Sequence, residues 1–373
     1  MPNYPGAMAT APPSPRAADL LAGPRGRRLL LEFAVSVGSD ALGAAVSEVS
    51  AALDPQRNRI ARYVRYDRHG DATDSPDTAS EHALREPASP ATVAHLLADL
   101  PAPLPDPTPE LLRKYLYESM DAARYWCASD GDDILAADPA VRAALAPVAE
   151  HLAASSLTDW WWSAPDLDDQ WSVTWGEDAT PFPEIPPEKR AANLRAWGAH
   201  VREGEQRHSG SLDRRRGPKN AVSSEWWSMP LWKVPTTTRS WPDGAGDPVG
   251  ALFVEDRWED DYCATRFTPP PDARVLEITG GPDWAALCRD FSLEVTWSHR
   301  RDWWEVTGRD SREAGRWLIP DWSAVADTWD AVHLTVAGYL NAATRCIPVR
   351  TADGQDAASV IAGWGPDVTY WLR

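Results

Sequence analysis

The chain carries 21 tryptophans among 373 residues, and every one lies at or after Trp126. An indole is a large apolar surface with one hydrogen-bond donor, so each ring needs core space or a partner surface. Trp160-Trp161-Trp162, Trp226-Trp227 and Trp303-Trp304 put rings on both faces of whatever element carries them. One core face cannot take them all. Single tryptophans are expected in the core, and the doublets and triplet divide between core and a pocket or partner surface. The composition break also separates two regions, with a border between residues 125 and 160.

Residues 1–18, rich in Pro, Ala and Ser, are expected to form a disordered tail, and Met8 offers an alternative start. Residues 19–155 are expected to be mainly helical, with a long polar loop over 67–90 and a Pro-rich linker over 101–109. Ser89-Pro90, Thr108-Pro109 and Asp138-Pro139 each set a capping side chain before a proline, which loses nothing at the first helical position. Leu112, Tyr115, Leu116 and Met120 recur at helical spacing behind the second cap, as do Val141, Leu145, Val148 and Leu152 behind the third. Residues 156–373 read as a Trp-rich mixed α/β domain with a twisted sheet. Its strands are predicted at Ala251–Glu255, Arg274–Thr279, Ala331–Val336 and Val368–Leu372. Gly281-Pro282-Asp283-Trp284 echoes Ile319-Pro320-Asp321-Trp322; in each, the proline is expected to open a helix and the aspartate to face its positive end. The fold class is therefore α+β.

A formal net charge of -18 repels phosphate backbones and anionic membrane surfaces, so neither nucleic acid nor membrane is an expected partner. The basic run Arg214-Arg215-Arg216 is expected to be a solvated loop. Leu29–Val37 is too short and too interrupted by Glu32 to span a bilayer. Arg25, Arg27 and Arg28 before it imitate a signal peptide, but they come late and no small-residue cleavage site follows, so the stretch reads as a buried helix or strand. Four scattered cysteines, Cys127, Cys263, Cys288 and Cys346, share no zinc or disulfide spacing, which points to reduced thiols and a cytoplasmic location.

No Walker loop, zinc-protease helix, nucleophile elbow or kinase signature is present. The acidic run Glu255, Asp256, Glu259, Asp260, Asp261 lacks the glycine turn of a calcium loop and is expected to be solvated. His333 sits among polar positions of its strand and reads as a hydrogen-bonded structural residue or a site residue. Thr236-Thr237-Thr238-Arg239 is a hydroxyl run that can bind a ribose or phosphate, or pair with backbone.

Trp226-Trp227-Ser228-Met229-Pro230, the two Pro-Asp-Trp segments, Trp329–Thr335 and the closing Trp364–Leu372 make the C-terminal half resemble uncharacterised Trp-rich proteins of high-GC Gram-positive bacteria. More distantly, the order of a hydroxyl-rich strand, a strand–helix segment and a late strand near an acidic residue resembles the ADP-ribosyltransferase fold over about the last 150 residues. That resemblance implies NAD as co-substrate. Its ring would stack on a tryptophan such as Trp227, its ribose would bond Thr236, Thr237 and Thr238, and its pyrophosphate would meet Arg239. Glu277 or Asp367 would stabilise the cationic ribose as nicotinamide leaves. Two readings follow: an NAD-using ADP-ribosyltransferase-like enzyme, or a catalytically degenerate relative of one; and a non-enzymatic module that binds a protein or small-molecule partner in a Trp-lined groove.

Overall fold

The computed structural model describes residues 12–56, 88–176, 179–209, 217–221, 225–230, 233–244, 246–253, 261–310 and 315–373. Between residues 12 and 162 the described residues form helices and no strand. They begin with α1 (Pro15–Ala22), α2 (Pro24–Val37) and α3 (Asp40–Leu53). Thus α1 starts inside the stretch expected as a tail, because Ser14-Pro15 repeats the cap-then-proline pattern and Ser14 Oγ accepts from Ala17 N. Leu29–Val37 lies within α2, with Leu29 and Leu30 buried.

Each proline-marked start appears where expected. Ser89 and Thr92 form a reciprocal capping box on α4 (Pro90–Ala98). Thr108 Oγ1 accepts from Leu111 N at the start of α5 (Pro109–Asp121), whose Leu112, Tyr115, Leu116 and Met120 are buried. The short α6 (Gly131–Ala137) follows, and Asp138 then caps α7 (Pro139–Ala144). The apolar period continues through Val141, Leu145, Val148 and Leu152, all fully buried. The backbone instead breaks at Leu145 and resumes as α8 (Ala146–Ala154). Pro147 explains the break, since it removes an amide donor and crowds the carbonyl four residues back. A 3-10 turn, Ser156–Trp162, carries the Trp triplet.

The remainder is α+β. A four-stranded sheet runs in the order β2 (Thr236–Thr237), β10 (Thr369–Trp371), β7 (Ala331–Leu334), β4 (Val275–Ile278). Strands β4 and β7 are parallel, and β10 is antiparallel to both its neighbours. A second sheet runs β5 (Ser292–Glu294), β6 (Arg316–Pro320), β9 (Asp356–Ser359), β8 (Ile347–Arg350), and β1 (Gln170–Trp175) pairs with β3 (Tyr262–Phe267). The helices of this part are α9 (Pro187–Ser209), α10 (Gly281–Asp290), α11 (Arg300–Thr307), α12 (Trp322–Thr328) and α13 (Val336–Ala342).

Three of the expected strands are present as β4, β7 and β10. At the fourth, Val249–Ala251 is a 3-10 turn, and Val254 and Glu255 lie outside the described residues. The two Pro-Asp-Trp segments also differ in detail. Pro282 does open α10, but Pro320 ends β6, and it is Asp321 that caps α12 by accepting from Ser323 N. Their tryptophans converge: Trp284, Trp322 and Trp364 pack together with centroids 5.5–6.2 Å apart. Their indole N–H groups donate to Ser359 Oγ, Ser228 O and Val368 O, so burial leaves no donor unmet in this trio.

One cluster of buried side chains runs from Ala17 in α1 to Leu372 beside β10. The border between the helical and Trp-rich regions is therefore a change in composition and secondary structure, and both regions share a core. Every residue of α13 is buried, and Asn341 in it donates to Asp19 of α1.

Candidate functional site

On the first sheet, register decides which polar side chains meet. Glu277 stands opposite His333, His333 opposite Thr369, and Thr369 opposite Thr237. Residues directly opposite on neighbouring strands share a face, so these four form one polar row. Leu276, Ile278, Val332, Leu334 and Tyr370 point the other way, into the main core. The polar face is covered as well: Phe267 packs on Trp371 at 5.1 Å, and Trp371 Nε1 donates to Thr237 Oγ1. All four residues of β7 are consequently buried.

His333 is fully buried and bonded at both ring nitrogens, Nδ1 to Glu277 Oε2 at 2.6 Å and Nε2 to Asp367 Oδ1 at 3.4 Å. Burial alone would lower its pKa, but the hydrogen bonds and charges of Asp367 and Glu277 outweigh it and raise it. Asp367 precedes β10 with φ of 61°, a left-handed conformation that Asp tolerates through its short polar side chain. Its carboxylate also accepts from Arg239 Nε at 2.8 Å and Arg239 N at 3.0 Å. The remaining guanidinium nitrogens donate to Ser163 Oγ at 2.9 Å and Ala164 O at 2.6 Å. With His333 protonated, two carboxylates face two cations. The result is a neutral chain, Glu277–His333–Asp367–Arg239, whose one partly exposed side chain is Glu277 at 30%.

Three residues expected at a nucleotide site, Arg239, Asp367 and Glu277, are thus brought together, but around a histidine. Thr236, Thr237 and Thr238 line a cavity of about 50 Å³ with Trp171, Val173 and Phe253. Thr237 Oγ1 bonds Gln170, and Thr238 Oγ1 accepts from Gly250 N. Sites for drug-sized ligands measure about 300–1,000 Å³, and Arg239 has every nitrogen of its guanidinium engaged. These residues as arranged do not fit a dinucleotide. Trp227 lies in a separate aromatic group, against Trp226 at 4.7 Å, with Trp226 in turn on Tyr125 and Trp126.

The buried chain leads to a larger cavity. Arg239 lies over the Trp160 ring, 5.6 Å from its centroid, and its bonds to Ser163 and Ala164 fix the end of the 3-10 turn. Two residues beyond Arg239, Trp241 meets Trp160 edge-on at 5.6 Å and Phe253 at 5.5 Å. Trp160, Trp161 and Trp241 line an opening of about 240 Å³ with Leu112, Leu116 and Pro109. Those last three follow helical spacing on the first turns of α5, so one helix face forms the opposite wall. Leu157 at the mouth is 37% exposed, one of two large exposed hydrophobics among the described residues. Asp159 and Asp243 are also in the lining. Broader depressions of about 560 and 370 Å³ are rimmed by ionic groups such as Arg202, Glu205 and Glu294, or Glu32, Asp130 and Asp132.

Only the Trp triplet signalled this cavity in the sequence; Leu112 stood out only as part of a helical apolar period, and Trp241 and the two aspartates did not stand out. Among the described residues no tryptophan is exposed, and seven are fully buried. His200 is exposed and pairs with Glu225 at 3.0 Å. The Arg214–Arg216 run, Trp232, residues 67–87 and most of the acidic run lie outside the described residues. Among the described residues no group of three His, Cys, Asp or Glu is placed to hold a metal ion, and no helix is long and apolar enough to cross a membrane. Comparison with protein families, curated proteins and solved structures finds no match to this chain.

Proposed function

We propose that the protein is a non-enzymatic binding module that receives an apolar or aromatic side chain of a partner between Trp160, Trp161, Trp241 and α5. The supporting observation is the cavity of about 240 Å³ walled by three indoles and opened by an exposed leucine. Rigid aromatic walls offer large contact area at small entropic cost, which is why tryptophan recurs where binding energy concentrates. Burying one leucine-sized group there contributes about 1.5–3 kcal/mol, so the cavity anchors a larger contact rather than supplying all its affinity. The NAD-using reading draws no support from the paired Arg239 or the small space beside Thr236–Thr238.

The test is a titration with N-acetyl-leucinamide and N-acetyl-tryptophanamide, followed by two-dimensional NMR of the indole N–H signals. Saturable shifts confined to Trp160, Trp161 and Trp241 are expected. Leu112→Phe, which narrows the cavity, should abolish them, while Ala98→Ser in α4 should not. Shifts that never saturate, or that fall on other tryptophans, would overturn the reading.

A further inference from the structure

We propose that the cavity is selective for an arginine-bearing peptide, with Arg16 of α1 holding part of the rim as an internal competitor. The proposal rests on the binding reading above and names its ligand. Three guanidinium groups of the chain already lie over indoles at or beside the cavity: Trp160 and Trp241, which line it, and Trp162, which ends the same 3-10 turn. Arg16 sits 4.8 Å from the Trp162 centroid, Arg113 5.7 Å from that of Trp241, and Arg239 5.6 Å from that of Trp160. Two of them also pair with a carboxylate that lines the cavity: Arg16 with Asp159 at 2.6 Å, and Arg113 with Asp243. A planar cation between an indole face and a carboxylate is an arrangement that guanidinium fits and ammonium fits less well, because its fork makes parallel bonds and its weaker hydration permits stacking.

The two pairs differ in how easily they exchange. Arg113 and Asp243 have side chains only 20% and 14% exposed and belong to the wall. Arg16 and Asp159 are 43% and 62% exposed, and a pair that open to water contributes about 0–1 kcal/mol. An incoming arginine can therefore take Asp159 from Arg16 at little cost while its apolar neighbour enters between the tryptophans. Trp162 stays in place through its own N–H bond to Asp19, so the ring remains available under the exchanging cation. A net charge of -18 favours approach of a basic peptide over an acidic one.

The experiment uses the full chain and three probes, N-acetyl-Leu-Arg-amide and its Lys and Gln counterparts, titrated at low salt into wild type, Arg16→Ala and Asp159→Asn. The Arg probe is expected to bind best, the Lys probe less well and the Gln probe least. Arg16→Ala should tighten the Arg probe about 2- to 5-fold, the reach of an exposed pair, and leave the Gln probe unchanged. Asp159→Asn should make the Arg and Gln probes equal. Equal binding of Arg and Gln probes to wild type, with no gain in Arg16→Ala, would sink the arginine proposal while leaving the apolar cavity intact. If no probe binds any variant, both readings fall together.

Discussion

Asp367→Asn probes the buried ionic chain at its centre. Asparagine is nearly isosteric and tolerates the left-handed backbone as aspartate does, so φ of 61° contributes no new strain. What changes is charge: Arg239, with its side chain 9% exposed, and His333, fully buried, lose the carboxylate between them. Neutralising one member of a buried pair costs about 3–5 kcal/mol, because the other charge stays behind unpaired. Urea unfolding monitored by tryptophan emission should show that loss. The pH dependence carries a sign. A histidine whose folded pKa is raised above its ordinary 6.5 contributes stability that is fully present below 6.5 and is lost as pH rises through the folded value. Asp367 is the first of the groups that raise it, so the gap between wild type and variant should be widest below 6.5 and narrow above it. A loss under about 1 kcal/mol, the size of an exposed pair, or a gap that widens with rising pH, would refute the reasoning.

His299 is fully buried, and burial pushes its pKa down to about 4 against a raising bond to Trp227 O. Between 6.5 and about 4 the unfolded chain binds a proton that the folded one refuses, so stability should fall by about 3 kcal/mol as pH drops; His299→Gln should flatten that slope in urea titrations. Gly131→Ala should destabilise by about 1–3 kcal/mol in the same assay, because its Cβ would stand 1.8 Å from the Ser50 carbonyl oxygen. Arg25→Met removes the nearer of two cations at the buried Asp133 carboxylate, leaving Arg28 3.8 Å away, and should cost about 3–5 kcal/mol, most of it recovered in Arg25→Met/Asp133→Leu. A double variant no better than the single would show that the loss came from packing.

Helix starts were readable because their determinants are local. Ser89-Pro90, Thr108-Pro109 and Asp138-Pro139 carry both the acceptor and the preset φ within two residues. The same rule holds at Ser14-Pro15, where composition suggested a tail. Strands β4, β7 and β10 were readable from short β-branched and aromatic runs, but their order was not. That order sets Glu277 against His333 and brings Asp367 to Arg239 across 128 positions. An arginine behind three hydroxyls looks the same in sequence whether it will meet a phosphate or a distant carboxylate. The tryptophans show the same limit: Trp160 and Trp161 line the cavity while Trp162 bonds Asp19 outside that lining, because the 3-10 turn, invisible to periodicity, sets which ring faces which wall.

The bond from Asn341 to Asp19 spans 322 positions, and the wholly buried α13 packs where α1 and α2 need a partner. This arrangement has a consequence in time. Ribosomes add about 5–20 residues per second, so α1 and α2 emerge on the order of 15–60 s before the segment that completes their surroundings. During that interval α1 and α2, which carry the buried Leu20, Leu29 and Leu30, have their earlier helical partners but lack the cover that α13 supplies. Late non-local closure of this kind slows folding and lengthens exposure to aggregation. Emergence of α13, rather than of the first helices, is thus the event that completes the surroundings of α1 and α2.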